Sequence, residues 1–211
     1  MTASDYIREN FEPDDRLAVV LLNKRTAGVI QRLAPARQLA SEEFQSWLRE
    51  RNDAGWDVYL SMNALRPHAT GRTKSDVITV RHLYLDFDES GTEKVEHLLQ
   101  RSDLPRPNFK LNTSPGKWQV VWKAEGFTSL LAEALQRSLA RETGADWAAT
   151  DSARVLRLPG FYNRKYDTPH LITVEKLSDR IHRPDDFPRA ASDNSRPFRQ
   201  GAHAKSAISG L

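Results

Sequence analysis

No cysteine occurs in the chain, which excludes disulfide frameworks, zinc ribbons and thiol nucleophiles and fits a reducing, cytoplasmic setting. No apolar run approaches membrane-spanning length, and the opening Met1-Thr-Ala-Ser-Asp-Tyr6 lacks the basic and apolar regions of a signal peptide. Histidines are few and scattered: His68, His82, His97, His170, His182 and His203 have no ligand spacing, which argues against a zinc site or a Ser/His/Asp triad. Neither charge sign dominates. The formal net charge is +3 with a pI of about 9.2, so nucleic-acid binding would need a local basic patch. Internal repeats are also missing.

What is present is a chain of 211 residues, 39% hydrophobic and 28% charged, enough for one good core. The expected organisation is a folded region over 1–188, with an N-terminal α/β unit over about 1–65 and a second part over about 66–188. From Arg189 the composition turns polar and small, as in a flexible tail or linker over 189–211.

Leu17–Leu22 and Gly28–Leu33 look like a strand pair, and Asp5–Phe11 like a short helix. Ser41 can cap a helix running to about Asn52, with Glu42 and Glu43 in its first turn. Trp56–Met62 is a predicted strand, and Arg66–Ser75 a basic loop. Further on, helices are predicted over Thr92–Arg101 and Ser129–Thr143, the latter with a stripe of Leu130, Leu131, Ala134, Leu135, Ser138 and Leu139. Strands are predicted at Asn108–Asn112, Trp118–Trp122 and Leu171–Val174. Only a Pro-Gly turn separates Asn112 from Trp118, too short for a crossover helix. That order predicts an α+β fold, an antiparallel or mixed sheet with helices on one face, as in split βαβ folds.

Three segments carry chemistry. In Arg81-His-Leu-Tyr-Leu-Asp-Phe-Asp88 strand alternation turns Leu83, Leu85 and Phe87 one way and Tyr84, Asp86 and Asp88 the other. Two acids crowded on one face favour a cation between them, so the segment suits Mg²⁺ or Mn²⁺ handling phosphates; it equally suits a polar strand end facing water. His82 shares this face and is read as a satisfied, partly buried histidine. In Thr113-Ser-Pro-Gly-Lys-Trp-Gln119, Ser114 offers a hydroxyl, Gly116 allows close backbone approach and Lys117 supplies a cation. Many solvated hairpin turns look the same, and the spacing is not that of a Walker A loop. Lys117, Gln119 and Val121 share one face of the following strand, with Trp118, Val120 and Trp122 on the core face.

The third segment, Gly144-Ala-Asp-Trp147 through Arg154-Val-Leu-Arg-Leu-Pro-Gly-Phe-Tyr-Asn-Arg-Lys165, mixes acids, guanidiniums and amides with apolar words. Arg157 stands inside an apolar run and must meet an anion, a carboxylate or a phosphate.

These segments resemble the three motifs of the archaeo-eukaryotic-type primases. Leu83-Tyr-Leu-Asp-Phe-Asp88 is similar to the first motif, Ser114-Pro-Gly-Lys-Trp-Gln119 to the second in its RepB-type plasmid and phage form, and Asp146 with Arg154–Lys165 to the third and its extension. The resemblance spans about 56–188. It implies an RRM-like sheet with an added α/β unit, and a primase-polymerase joining nucleoside triphosphates on single-stranded DNA in plasmid, phage or mobile-element replication.

By that resemblance Asp86, Asp88 and Asp146 are the catalytic, metal-binding carboxylates, with Mg²⁺ or Mn²⁺ as cofactor. Ser114, Lys117, Gln119, Arg157, Asn163 and Lys165 would bind the nucleotide. Arg72, Lys74, Arg81, Trp147 and Arg154 would offer template contacts, and a replicative helicase is a candidate partner. Gln119 stands where the wider superfamily usually has histidine. Asp151 competes with Asp146 for the third acid; Asp146 is favoured because it follows the helix-ending Gly144. Two other readings stand beside this one. Asp86-Phe-Asp88 echoes the start of haloacid-dehalogenase-like phosphatases, and the strand order also suits a non-catalytic RRM-like nucleic-acid-binding module.

Overall fold

A continuous apolar run in the first sheet and alternating apolar residues in the second build two antiparallel sheets, and the way these stack creates the cleft that matters. The computed structural model describes residues 1–188; the tail expected from residue 189 lies outside them. Helix α1 (Ala3–Asn10) leads into a hairpin of β1 (Arg16–Asn23) and β2 (Gly28–Pro35). Next come a single turn α2 (Ala36–Leu39), helix α3 (Glu42–Asp53), β3 (Asp57–Ser61) and β4 (Ala64–Leu65). Ser41 Oγ accepts a hydrogen bond from Phe44 N at 3.3 Å, the cap expected at the start of α3.

The chain continues through β5 (Val77–Thr79), β6 (His82–Phe87), α4 (Gly91–Gln100), β7 (Phe109–Ser114), β8 (Lys117–Lys123) and α5 (Ser129–Thr143). It ends in short strands β9 (Val155–Arg157), β10 (Tyr162–Asn163), β11 (His170–Leu171) and β12 (Thr173–Lys176). The first sheet runs β5-β4-β1-β3-β9 with β2 on the outer side of β1; the second runs β12-β7-β8-β6. All pairs within these two sheets are antiparallel.

The faces of the second sheet divide as alternation predicts. Leu83, Leu85, Phe87, Val120 and Trp122 pack with Val95 of α4 and Leu135 and Leu139 of α5. Tyr84, Phe109, Leu111 and Val121 point the other way, into a core shared with Leu17, Val19, Leu21, Val58 and Leu60 of the first sheet. Helices cover one face of the sheet and the first sheet covers the other. His82 is fully buried, its Nδ1 2.6 Å from the Met62 carbonyl, and burial pushes its pKa down to about 4.

Strands β5 and β9, later in the chain than residue 65, pair with β4 and β3 in the first sheet. One expectation shifts, the stripe of α5: Leu130 and Leu131 are exposed, while Ala132, Leu135, Gln136, Leu139 and Ala140 are buried. Gln136 explains the change. Its Oε1 accepts from Tyr84 N at 2.7 Å and its Nε2 donates to Thr150 O at 3.1 Å. A buried amide satisfied at both ends is invisible to a pattern of apolar residues alone.

Candidate active site

Strand β6 is an edge of the second sheet, and its free backbone groups need partners. Gln136 takes the Tyr84 N–H, and the Asp146 N–H donates to the Asp86 carbonyl at 2.7 Å. Tyr84 Oη also donates to the Asp151 carbonyl. These bonds stitch the segment after α5 along β6 and set Asp146 beside Asp86. Gly144, at φ +69°, makes the left-handed turn that ends α5 and directs the chain there. Asp146 then caps the short turn Trp147–Ala149, its Oδ1 accepting from Ala148 N at 2.9 Å.

Asp86 is largely buried. Burial first, then the charges of Asp88 and Asp146, push its pKa up to about 6, while a hydrogen bond from Gln119 opposes the rise. Gln119 Nε2 donates to Asp86 Oδ2 at 3.1 Å, which follows from the cross-strand pairing of the two residues. Asp88 is turned to Lys117, whose Nζ lies 2.9 Å from its Oδ1. Arg154 stands between acids, 3.8 Å from Asp146 and 3.6 Å from Asp151. The three carboxylates are close in charge terms, yet among the described residues no three acidic or histidine side chains close on one point.

A cavity of about 490 Å³ opens beside them, between the two sheets. Asp86, Asp88, Ser114, Lys117, Gln119, Arg157, Asn163 and Lys165 line it, together with Arg72, Arg154 and Asp151. Several buried polar atoms around it lack hydrogen-bond partners among the described residues: Ser114 Oγ, Gln119 Oε1, Arg72 Nε and Arg157 Nη1. Arg157 meets the carboxylate its position demanded, that of Asp57. Its Nη2 donates to Oδ2 at 3.3 Å, and Nη1 lies 2.9 Å from Oδ1 without hydrogen-bond alignment. Both partners are buried, and the guanidinium lies 4.8 Å from the Tyr59 ring centroid.

Other expected residues stand elsewhere or act differently. Asn163 lines the cavity, but its Nδ2 donates to Thr113 O at 2.8 Å and its Oδ1 accepts from Lys165 N at 3.0 Å. The amide braces the loop that presents Lys165. Arg81 points away: it holds Asp15 through two hydrogen bonds of 2.8 and 2.9 Å, beside a separate cavity lined by α1 residues. Lys74 is tied to Glu133 at 2.9 Å, outside the cleft. Trp147 is 49% exposed, with the Arg141 guanidinium 5.4 Å from its ring centroid.

Asp57, Tyr59, Lys24 and Tyr166 were not foreseen. Tyr59 and Tyr166 line the cavity. Lys24, in the β1–β2 turn, is held below the ordinary lysine value by burial and by the nearby cations Lys165 and Arg157. A signal for Asp57 existed: an acid opening the apolar word Val58-Tyr-Leu60 needs a cation as much as Arg157 needs an anion.

Comparison with solved structures places this geometry in a known fold. The chain is similar to the primase RepB', with TM-score 0.65 and 22% identity over 85% of this chain, and it spans 58% of that chain's length. It is also similar to the catalytic domain of primase RepB' in complex with initiator DNA, with TM-score 0.64, 22% identity, and coverage of 86% of this chain and 88% of that one. A third likeness is to the AEP domain of the cyanophage S-2L primase-polymerase, with TM-score 0.66, 15% identity, and coverage of 85% and 91%. No curated protein matches the chain. The family model of the RepB DNA-primase N-terminal domain matches residues 11–175, from the end of α1 into β12, which sets aside the phosphatase reading; the chain belongs to the RepB DNA-primase N-terminal domain family.

Proposed function

We propose that this domain is a DNA primase of plasmid or phage replication, joining nucleotides from nucleoside triphosphates on a single-stranded DNA template. One observation carries the reading. Three segments remote in sequence bring the acids Asp86, Asp88 and Asp151, the cations Lys117, Arg154, Arg157 and Lys165, and unpartnered polar atoms to a single cleft, with Asp146 beside Asp86. Acids alone would repel a triphosphate, and cations alone would merely hold it.

The donor set fits a hard divalent ion. Asp86, Asp88 and Asp146 offer only carboxylate oxygens; burial first, and then the charges of Asp88 and Asp146, raise the Asp86 pKa, and a bound cation would offset both. These three residues would hold Mg²⁺ or Mn²⁺. When bound, such ions supply charge neutralisation at the phosphates and acidify a 3′-hydroxyl.

The chain's own groups do the rest. Gln119 fixes the Asp86 carboxylate by donating to one oxygen, leaving the other free. Ser114 Oγ, buried without a hydrogen-bond partner among the described residues, and Arg157, ion-paired with Asp57, would meet phosphate oxygens. Lys165 and Lys24 extend the positive field, and Asp57 and Tyr59 hold the Arg157 guanidinium in place. Arg72 and Arg154 line the same cleft and are the template contacts this geometry favours. A guanidinium stacked on Trp147 gives that ring a platform beside Asp146, suited to an unpaired base.

The test is incorporation of labelled nucleoside triphosphates on unprimed single-stranded DNA with Mn²⁺ or Mg²⁺. Replacing Asp86 and Asp88 together by Ala should lower incorporation by roughly a hundredfold or more, since charge-stabilising groups of this kind are worth that much. The fold should stay intact by circular dichroism. Undiminished incorporation by the folded double variant would overturn the assignment. Bound single-stranded DNA with no incorporation by either protein would favour a binding module.

A further inference from the structure

Lys117 lines the cleft but is engaged with one of its acids, Asp88. It opens β8, directly after Gly116 at φ +71°, and Asp88 follows the end of β6. In the register of these strands Asp86 faces Gln119 and Phe87 faces Trp118, so the next step brings Asp88 opposite Lys117. Their 2.9 Å contact is therefore a cross-strand pair set by the backbone. Close by, Ser114 and Gln119 are only 2% and 5% exposed, yet Ser114 Oγ and Gln119 Oε1 lack partners. A cation is engaged with an acid while buried polar atoms in the same cavity stay unsatisfied. A completed hydrogen-bond network does the opposite.

A divalent ion and a triphosphate arriving together would reverse both conditions. We infer that Lys117 is an exchangeable counter-ion: it holds Asp88 before substrate binds, then yields that carboxylate to the divalent cation as its ammonium moves to the triphosphate. The inference rests on the primase reading above. Lysine suits the task because its ammonium is a compact charge on a flexible four-carbon stem, free of the fixed fork of arginine. The Lys117 and Asp88 side chains are 28% and 55% exposed, so the pair is weak enough to open. The exchange has a defined consequence. Lys117 hinders binding of the metal alone and assists binding of metal and triphosphate together, which couples the two ligands.

One substitution should therefore move two affinities in opposite directions. In a Mn²⁺ titration followed by electron paramagnetic resonance, Lys117→Met should bind Mn²⁺ roughly two- to fivefold more tightly than wild type, the range an exposed ion pair is worth. In calorimetry at saturating Mn²⁺, the same variant should bind a non-hydrolysable nucleoside triphosphate roughly tenfold or more weakly, as expected for a lost charged hydrogen bond. Lys117→Arg keeps the charge and should stay near wild type for Mn²⁺ alone. Lys165→Met removes a charge from the same cavity without freeing Asp88, and so reports the field effect by itself.

Equal Mn²⁺ affinity of Lys117→Met and Lys165→Met would overturn the exchange, as would unchanged triphosphate affinity in Lys117→Met. Mn²⁺ binding that is identical in wild type and in the Asp86, Asp88 double alanine variant is a distinct result. It would overturn the metal reading of the cleft, and the exchange with it.

Discussion

Asp86 bears its charge where burial and two neighbouring acids oppose it. Its pKa is pushed up to about 6, so the folded protein holds this proton more tightly than an unfolded chain near 3.8. The sign follows from proton linkage: stability from this residue is present at low pH and is lost as pH rises from about 4 through 6. Asp86→Asn should remove that loss. At pH 7, without divalent metal, the variant should be more stable by about 1–3 kcal/mol in urea titration, with the advantage shrinking towards pH 4. Incorporation should be abolished in the same variant. An Asn variant less stable than wild type at pH 7 would contradict the account.

Much at this scale was legible, for reasons of chemistry. Strand alternation alone put Asp86 and Asp88 opposite Leu85 and Phe87, and the structure keeps that division. Arg157 demanded an anion and found Asp57. Arg81 and Lys74 were suggested by charge alone, and charge says nothing of direction. Each is bound to an acid outside the cleft.

Among the elements, the junction of α4 with the turn before β8 governs the cleft most directly. The Gly91 N–H donates to the Gly116 carbonyl at 3.1 Å. A Cβ at Gly91 would lie 2.6 Å from that oxygen and 3.2 Å from Trp118 Cδ1, too close for either to stay in place. Gly91→Ala should therefore push back the turn that carries Ser114 and Lys117. The expected cost is about 1–3 kcal/mol of stability, as for other overpacked sites. Incorporation should fall about tenfold to a hundredfold, because a small displacement of positioning groups is costly. A matched loss of triphosphate affinity in calorimetry would tie the defect to the turn. Helix and strand positions were largely readable here, but this contact between backbones was not, since it depends on where two remote elements meet. The rotation of α5 has the same origin in a tertiary partner of Gln136.

At the scale of the whole molecule, the two sheets depend on each other. Strand β9 pairs with β3, matching Tyr59 with Arg157, and β5 pairs with β4. The core that holds Leu156 and Leu158 also holds Tyr84, Phe109, Val58 and Leu60. A fragment of residues 66–188 would keep the three motif segments and lose β1 and β3. It should show no cooperative urea transition and poorly dispersed amide resonances, whereas residues 1–188 should unfold in one step. A folded fragment would restore the boundary near residue 65. The pairing of β9 with β3 was not legible in the sequence, because β9 is three residues long and gives no periodicity to read.

The pairing of β3 with β9 also sets an order of events during synthesis. Strands β1 to β5 of the first sheet emerge from the ribosome early, but the outer edge of β3 stays open until residue 157 has followed. Asp57 waits as long for its arginine. Throughout that interval an acid that the finished fold buries and an unpaired strand edge are exposed together, a state open to pairing with the wrong partner. The segment that closes this edge is the same one that brings Arg157 into the cleft, so protection of the edge and completion of the cleft arrive together.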